Sequence, residues 1–347
     1  RDPQRAASFR ERARQDVTTG SEAALSGRRI LVTGGSGFIG RHVVSALQSA
    51  GAYVRVVDLQ PHPDPDVEVV LGDIDERDVL EAAFDGGFNG VAHLAAVTSV
   101  LRSLEHPSLT FRTNVAGTAE LLEAARAAGA TALVFASTNA VAGMTDAPAI
   151  SEAAPLCPLT PYGATKAAAE MLMSAYTAAY GVRCVALRLT NVYGPGMHAK
   201  DSIVARLMRA IRLEQTFEIY GDGRQVRDYV HAADVTAAMA LGLSDESWSA
   251  PVVIGSGRSL SVLEVVDAVR HVTGAEIDVR HGPARAGEMP AVIVDNSHAR
   301  AAGWSPSFTL EEGLVGVWEE WSQVDLDAVL SGLGAVGAPG AVPGGSR

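Results

Sequence analysis

Short apolar runs alternate with longer stretches rich in Ala and Leu over the first half of the chain. The runs at 29–33 and 53–57 have the length of buried strands, and the stretch at 38–50 has the pattern of a helix. Further strands are predicted at 91–95, 132–136 and 184–189. This alternation predicts a parallel sheet covered by helices on both faces, in which ligands bind beyond the carboxyl ends of the strands.

The pattern changes after Pro195, where loops and short strands replace the regular alternation. A helix is predicted near 202–213, and two more helical stretches lie between 259 and 322. We therefore predict a smaller C-terminal α/β domain that binds the substrate. The predicted first domain covers 28–192 and returns at 226–258, and the second covers 193–225 and 259–324.

Both ends of the chain have compositions that do not favour packing. Residues 1–27 mix Arg, Asp, Gln and Ser without a long apolar run, and the end of the chain from about Ser331 is mostly Gly, Ala, Pro and Val. Such compositions bury too little apolar surface to offset the entropy of ordering. We expect a flexible N-terminal extension at 1–27 and a flexible tail at 325–347.

Composition narrows the class of protein. Hydrophobic residues make up 47% of the 347 residues, yet no apolar run approaches the roughly 20 residues that span a bilayer. The net charge of −12 argues against nucleic acid or an anionic membrane as the main partner. Cys157 and Cys184 give neither metal-ligand spacing nor a disulfide framework, so we predict a cytoplasmic protein without a metal site.

A glycine-rich turn follows the first predicted strand, at residues 32–40 (Val-Thr-Gly-Gly-Ser-Gly-Phe-Ile-Gly). Gly34 lets the chain leave the strand sharply, Gly37 allows close approach of a phosphate, and Gly40 allows the new helix to pack on the sheet. The free N–H groups at the start of that helix then face the anion. A purely structural turn is the alternative, and the flanking strand and helix favour a dinucleotide site of the Rossmann type.

Asp58 ends the second predicted strand, about 20 residues after this turn. A carboxylate at that position accepts hydrogen bonds from both hydroxyls of an adenosine ribose and repels a 2′-phosphate. Leu59 and Gln60 offer no Arg to receive such a phosphate. The sequence therefore predicts NAD, not NADP, as the cofactor.

Tyr162 and Lys166 are candidates for acid–base chemistry. Thr160 and Pro161 form a good N-cap and first-turn pair, so a helix is predicted to start there and to place Tyr162 and Lys166 on one face. A nearby ammonium favours the phenolate and lowers a tyrosine pKa. Thr138, at the end of a preceding strand, is placed to bring a hydroxyl to the same substrate oxygen. The alternatives are a solvated helix face for the pair and a strand-end hydrogen bond for Thr138.

Several ordered motifs together carry a family resemblance. They are Thr33-Gly34-x-x-Gly37-x-x-Gly40, Asp73-Ile74, His93-Leu94-Ala95-Ala96, Asn114-Val115-x-Gly117-Thr118, Tyr162-x-x-x-Lys166, Leu187-Arg188-x-x-Asn191-Val192-Tyr193-Gly194-Pro195-Gly196, a run from Gly221 to Val235, and Arg285-x-Gly287-Glu288. In order and spacing the chain resembles the extended short-chain dehydrogenase/reductases, in particular the NAD-dependent nucleotide-sugar epimerase/dehydratase group, from about Arg29 to Trp321.

The resemblance implies roles for individual residues. Tyr162 would be the general base, Lys166 would hold the nicotinamide ribose and lower the tyrosine pKa, and Thr138 would bond the reacting oxygen. Contacts to NAD are implied for Gly34, Gly37, Phe38, Ile39, Gly40, Asp58, Asp73, Ile74, Leu94, Ala95, Ala96, Asn114 and Lys166. Contacts to a nucleoside diphosphate are implied for Asn191, Arg227 and Arg285.

Other expectations accompany these roles. Two guanidiniums would supply bidentate donors to a diphosphate in an otherwise acidic protein, although a structural pair of Arg227 with Asp228 or Asp234 stays open. His93 and His231 are expected to be packing histidines at strand ends. A homodimer through the helices near 101–127 and 162–180 is implied by the resemblance.

Departures from the family pattern refine the function. The family often has Tyr, Asn and Lys where this chain has Ala142, Val253 and His298, and Ala142 would leave space beside the strand end. Dehydratases of the group carry an Asp-Glu pair after the threonine, where this chain has Asn139 and Ala140.

Without those carboxylates, we predict 4-epimerisation of a UDP-, dTDP- or GDP-hexose through a transient 4-keto sugar. A dehydrogenase or 4-ketoreductase, a dehydratase, and a non-catalytic dinucleotide sensor stay open.

Overall fold

A computed structural model of the chain describes residues 23–144, 147–284 and 291–325. Twelve strands lie within these residues: β1 Arg29–Thr33, β2 Tyr53–Asp58, β3 Glu68–Leu71, β4 Gly90–His93, β5 Ala132–Thr138, β6 Arg183–Leu189, β7 Asn191–Tyr193, β8 Phe217–Tyr220, β9 Val226–His231, β10 Ala250–Ile254, β11 Ser259–Ser261 and β12 Val279–Gly282.

The α-helices of the described residues are α1 Phe38–Ser49, α2 Arg77–Phe84, α3 Val100–Glu105, α4 Pro107–Phe111, α5 Gly117–Ala127, α6 Pro161–Tyr180, α7 Ile203–Arg212, α8 Ala232–Ser244, α9 Val262–Thr273, α10 Ser297–Ala301 and α11 Leu310–Trp321. A π-helical turn at Arg112–Ala116 joins α4 to α5, and a 3₁₀ turn at Asn139–Val141 follows β5.

Seven parallel strands form the central sheet in the order β10-β6-β5-β4-β1-β2-β3. Apolar side chains pack on both of its faces. One core includes Val43 of α1 and Met239 of α8, and the other includes Leu80 of α2, Leu121 of α5 and Met173 of α6. The predicted doubly wound α/β fold is confirmed, and the predicted strands and the helices at 38–50 and 202–213 end within two residues of those observed.

A third apolar core lies outside the central sheet. It joins α7, α9, α11 and β8 through residues such as Met208, Val265 and Trp321. Two small sheets accompany it, one in the order β11-β9-β7 and one that pairs β12 with β8. The division into two domains at the predicted boundaries stays a prediction.

Hydrogen bonds connect α1 to the chain after β7. His42 Nε2 lies 2.8 Å from the Pro195 carbonyl oxygen, and Arg41 donates to the Gly196 carbonyl at 3.2 Å. The Gly196 N–H donates in turn to Glu320 of α11 at 2.5 Å. The helix α11 is thereby tied to α1, the helix that follows the glycine turn.

The two predicted flexible ends lie mostly outside the described residues. Leu25 is nevertheless fully buried in the first core, so the packed part of the chain begins before Arg28. Among the described residues, no helix combines the length and the apolar character needed to cross a bilayer.

Candidate active site

The glycine turn leaves the start of α1 open to an anion. α1 begins after Gly37, and no described side chain caps it or places an acid in its first turn. Gly34 has a φ of +71°, and a Cβ there would lie 2.6 Å from the Ala95 backbone nitrogen. The first N–H groups of α1 lack partners within the helix, so the turn fits a pyrophosphate.

Asp58 lies beside this turn at the end of β2. Its Oδ2 accepts a hydrogen bond from the Ser36 N–H at 3.0 Å, and its Oδ1 accepts one from the Gln60 N–H at 3.1 Å. These bonds fix the carboxylate next to the start of α1. The structure therefore brings together the two features that predicted a dinucleotide site.

Asp73 and Ile74 follow β3, the neighbour of β2. Ile74 is buried, and a Cβ on Gly117 of α5 would lie 2.8 Å from its Cγ1. Burial raises the pKa of the Asp73 carboxyl, and the nearby Asp75 adds to the effect. The pair is thus placed at the same edge of the sheet as Asp58.

The residues that follow β4 lie at the same edge of the sheet. The Leu94 N–H donates to the Thr33 carbonyl at 3.0 Å, and the Ala95 N–H donates to the Thr33 hydroxyl at 3.3 Å. Asn114 is buried. Its side-chain oxygen accepts the Val97 N–H at 2.8 Å, and its side-chain nitrogen donates to the Val97 carbonyl at 3.0 Å. Asn114 therefore holds the segment after β4 in place, alongside any contact of its own with a cofactor.

Thr138 and Tyr162 meet at the carboxyl end of β5. Thr160 caps α6, as predicted, because its hydroxyl accepts the Gly163 N–H at 3.2 Å. The Thr138 side chain lies close enough to the Tyr162 phenol to lower its pKa, against the effect of burial. Thr138 is buried, and its Oγ1 also accepts the Ala140 N–H at 3.2 Å.

Lys166 lies deeper than the helix-face pattern indicated. It is 2% exposed, its ammonium donates to the Ala136 carbonyl at 2.8 Å, and it lies 4.3 Å from the centroid of the Phe135 ring. Burial lowers the pKa of Lys166 to about 7, and the Glu170 carboxylate opposes that change.

The expected lowering of the tyrosine pKa is wrong for this structure. The physical reason is burial of the phenol, which raises the pKa of Tyr162 to about 12 and is opposed only by the Thr138 side chain. The Lys166 ammonium, which was expected to lower this pKa, donates to the Ala136 carbonyl of β5.

His93 and His231 are buried at strand ends, where packing histidines were expected. His93 lies within 2.7 Å of the Thr33 hydroxyl and 3.0 Å of the Thr118 hydroxyl, and its ring stacks on Phe135. Burial lowers the pKa of each histidine to about 3. Both imidazoles are therefore neutral near pH 7.

The predicted substrate residues fall on β7 and β9. Asn191 Nδ2 donates to the Asp228 carbonyl at 2.9 Å, and Arg227 Nη1 donates to the Val226 carbonyl at 2.8 Å. Asp228 accepts bonds from Thr190 and Ser256. Arg285 lies outside the described residues, and the diphosphate contacts stay predictions.

The expected space beside Ala142 is absent, so that prediction is wrong. Ala142 is 1% exposed and lies in an apolar cluster with Ile150, Val253, Val292 and Val294. Two positions that depart from the family pattern thus belong to one packed cluster. The third, His298, lies 3.7 Å from a Glu152 carboxylate oxygen.

Sequence reasoning missed Glu170 and Ser137. Glu170 is buried on α6, where its carboxylate accepts the Ser137 hydroxyl and pairs with Arg188 at 2.9 Å. The available signal was the spacing of Tyr162, Lys166 and Glu170 at i, i+4 and i+8. Within the described part of the chain, no group of three or more His, Cys, Asp or Glu side chains is arranged to hold a metal ion.

Comparison with known proteins agrees with this geometry. Residues 30–255 match the NAD dependent epimerase/dehydratase family. The UDP-glucose 4-epimerase of Lacticaseibacillus casei is 36% identical over 304 residues, which cover 80% of this chain and 92% of the relative.

Two solved structures are similar over most of their length. The UDP-glucose 4-epimerase of Thermus thermophilus in complex with NAD has a TM-score of 0.80 and 35% identity, covering 86% of this chain and all of that one. The UDP-glucose 4-epimerase of Thermotoga maritima with UDP-glucose has a TM-score of 0.80 and 32% identity, covering 85% and 99%.

Proposed function

The chain belongs to the NAD-dependent epimerase/dehydratase family, and from this premise we propose that it is an NAD-dependent enzyme that inverts the C4 hydroxyl of a UDP-hexose. UDP-glucose, which the relatives' names give as their substrate, is the first candidate. The observation that carries the proposal is that Thr138, at the carboxyl end of β5, and Tyr162, in the first turn of α6, come together beside the segment held by the glycine turn.

In this proposal the residues of the chain bind and orient the sugar and move one proton. Tyr162 would act as the phenolate, which takes the proton of the C4 hydroxyl and later returns it. Burial alone favours the neutral phenol, so the positive charge of the bound nicotinamide ring would have to favour this ionised form. The Thr138 hydroxyl holds the same sugar oxygen. When bound, NAD supplies the hydride acceptor and donor that C4 oxidation and reduction require.

The binding roles are proposed for the residues that the sequence indicated. Gly34, Gly37 and the first turn of α1 would hold the pyrophosphate, and Asp58 the adenosine ribose. Asp73 and Ile74 would flank the adenine, and Lys166 the nicotinamide ribose. Asn191, Arg227 and Arg285 would hold the UDP diphosphate, because guanidiniums provide bidentate donors.

The residues after Thr138 favour epimerisation over elimination. Loss of water from a 4-keto hexose needs an acid and a base positioned at C5 and C6. Asn139 and Ala140 supply neither. Hydride transfer and one acid–base group suffice for inversion at C4, so NAD is regenerated in each turnover.

The decisive experiment presents purified protein and NAD with a panel of UDP-, dTDP- and GDP-hexoses. We expect at least UDP-glucose to give its C4 epimer, without net NADH and without change of mass. Stoichiometric NADH would favour a dehydrogenase, and a product lighter by one water would favour a dehydratase. NAD binding without turnover of any sugar would favour a sensor.

The variant Tyr162→Phe tests the role of the proposed acid–base residue. It should keep the fold and NAD binding and lower turnover by about 10²-fold or more, because a positioned acid–base group is lost. Tyr53→Phe is the matched control. Tyr53 is 37% exposed and starts β2, so it lies at the end of that strand away from Asp58. Turnover near the wild-type rate in Tyr162→Phe would contradict the assignment.

We further propose a cytoplasmic homodimer formed through α3, α4, α5 and α6. The support is a set of exposed apolar side chains on three of these helices, namely Leu101, Leu104, Phe111, Met171 and Tyr180. Both cysteines are free thiols, which suits a reducing compartment. The mass of the purified protein in light scattering tests the dimer.

A further inference from the structure

A buried ion pair lies behind the proposed catalytic side chains. The Glu170 side chain is 6% exposed and the Arg188 side chain 3%. Arg188 Nη2 donates to Glu170 Oε2 at 2.9 Å, and Arg188 Nε lies 3.2 Å from both carboxylate oxygens. This is a charge-assisted pair in which the guanidinium meets both oxygens of the carboxylate.

The pair holds the end of β5. Ser137 donates its hydroxyl to Glu170 Oε1, and Ser137 also lies opposite Arg188 in the register of β5 and β6. Thr138 is the next residue. The position of the Thr138 hydroxyl therefore depends on a carboxylate that does not itself touch Thr138.

The same pair holds the segment that leads into α6. Arg188 Nη1 donates to the Glu152 carbonyl at 3.1 Å and lies 3.5 Å from the Ser151 carbonyl. Glu152 in turn accepts the Val253 N–H at 2.8 Å. The strand end that carries Thr138, the segment that enters α6 and the helix that carries Tyr162 thus meet at one buried ion pair.

Lys166 lies one turn before Glu170 on α6. Lys166 interacts electrostatically with His93 on β4 and with Glu170 on α6. Tyr162 lies one turn before Lys166 on α6, and Arg188 on β6 pairs with Glu170. Burial lowers the pKa of His93 to about 3 and raises the pKa of Tyr162 to about 12, so both are neutral near pH 7. Glu170 therefore supplies the negative charge among these neighbours.

Stability alone does not account for such a pair. Removing two charges from water costs as much as their attraction returns, and apolar side chains of similar volume often serve equally well. The pair is hydrogen-bonded to the end of β5 and to the segment 151–152, and Glu170 itself lies on α6. These links to the candidate site point to a positioning role.

We propose that Glu170, held by Arg188, is a positioning residue that places a negative charge one helical turn from the buried Lys166 and, through Ser137, fixes Thr138 against Tyr162. Glu170 touches neither substrate nor cofactor in this role and acts through Lys166 and Ser137. The inference rests on the proposed function, because it assigns Lys166 to the nicotinamide ribose.

The test is the pH dependence of NAD affinity and of kcat in Glu170→Gln. The amide keeps the size of the carboxylate but removes the negative charge that favours the Lys166 ammonium, and it leaves the Arg188 cation without its partner. Both changes disfavour the ammonium, so the pH at which NAD affinity falls should move down by about one unit or more. The kcat deficit should be about tenfold at pH 8 and smaller at pH 6, with KM for the UDP-hexose unchanged.

A second variant keeps the test decisive if Glu170→Gln does not fold. Glu170→Gln combined with Arg188→Met removes both charges. The midpoint of the pH dependence of NAD affinity in this double variant should lie between the midpoints of Glu170→Gln and the wild type. Glu81→Gln is the matched control, because Glu81 forms an exposed pair with Arg77 on α2. It should leave both profiles unchanged.

The outcomes separate a positioning role from a merely structural one. A loss of kcat equal at all pH values, or an unchanged NAD midpoint in a folded variant, would overturn the inference. The NAD titration needs no sugar turnover, so it judges Glu170 even if the wild-type protein inverts no hexose, which would refute the proposed function alone.

Discussion

At the scale of single residues, Asp58 is expected to decide between NAD and NADP. Its carboxylate is fixed beside the glycine turn by the N–H groups of Ser36 and Gln60. Asp58→Ala should weaken NAD binding by about 1.5–3 kcal/mol, the range for hydrogen bonds to a charged group. The same change should leave NADP affinity equal or higher, because a charge that repels a 2′-phosphate is removed.

Calorimetric titration of both dinucleotides measures this preference. Asp66→Ala is the control, since Asp66 is exposed in the loop between β2 and β3. Equal or tighter binding of NADP by the wild-type protein would contradict the role given to Asp58.

At the scale of elements, the close contact between α6 and the 3₁₀ turn sets the distance from Tyr162 to Thr138. A Cβ on Gly163 would lie 2.6 Å from the Ala140 carbonyl oxygen and 3.0 Å from Pro158 Cβ. Gly163→Ala gains up to about 1 kcal/mol of helix propensity. The contact with a backbone carbonyl should nevertheless displace the start of α6 and lower turnover at least about tenfold, because such shifts near a site are costly.

Steady-state kinetics with NAD affinity as a second readout tests this contact. NAD affinity should change less than turnover, because the proposed pyrophosphate, adenosine ribose and adenine contacts lie on other elements and only Lys166 lies on α6. Ala164→Ser is the control, since Ala164 is exposed in the same turn of α6. A Gly163→Ala protein with full activity and a higher melting temperature would contradict this prediction, because it would show that the 3₁₀ turn moves to accommodate the added methyl group without displacing Tyr162.

At the scale of the whole molecule, two buried neutral histidines make stability depend on pH. Burial lowers the pKa of His93 and His231 to about 3, while unfolded histidine has a pKa near 6.5. The unfolded chain therefore binds more protons as pH falls below 6.5, and the free energy of unfolding decreases. Each histidine should contribute a loss of about 2 kcal/mol between pH 7 and pH 5.

Chemical denaturation at both pH values measures the effect, and the difference between wild type and His231→Gln isolates one histidine. The variant should lose less stability between pH 7 and pH 5 than the wild type does. His281→Gln, at an exposed position, is the control. An identical pH dependence in wild type and His231→Gln would contradict the assignment of a neutral buried imidazole.

The sequence by itself determined the doubly wound sheet, the glycine turn with Asp58, and the start of α6 at Thr160. Each of these is local, because strand length, a positive φ at glycine and an N-cap are properties of a few consecutive residues. The motif order that indicated the family is likewise a property of the linear chain.

Only the tertiary structure decided the pKa values and the charge pairing of the side chains in the candidate site. The depth of Lys166, the direction of its ammonium and the ion pair of Glu170 with Arg188 depend on how α6 packs across β5 and β6. The cluster that fills the space beside Ala142 joins segments more than a hundred residues apart, from 142 to 294. Burial and long-range charge decide pKa values, and neither is present in local sequence.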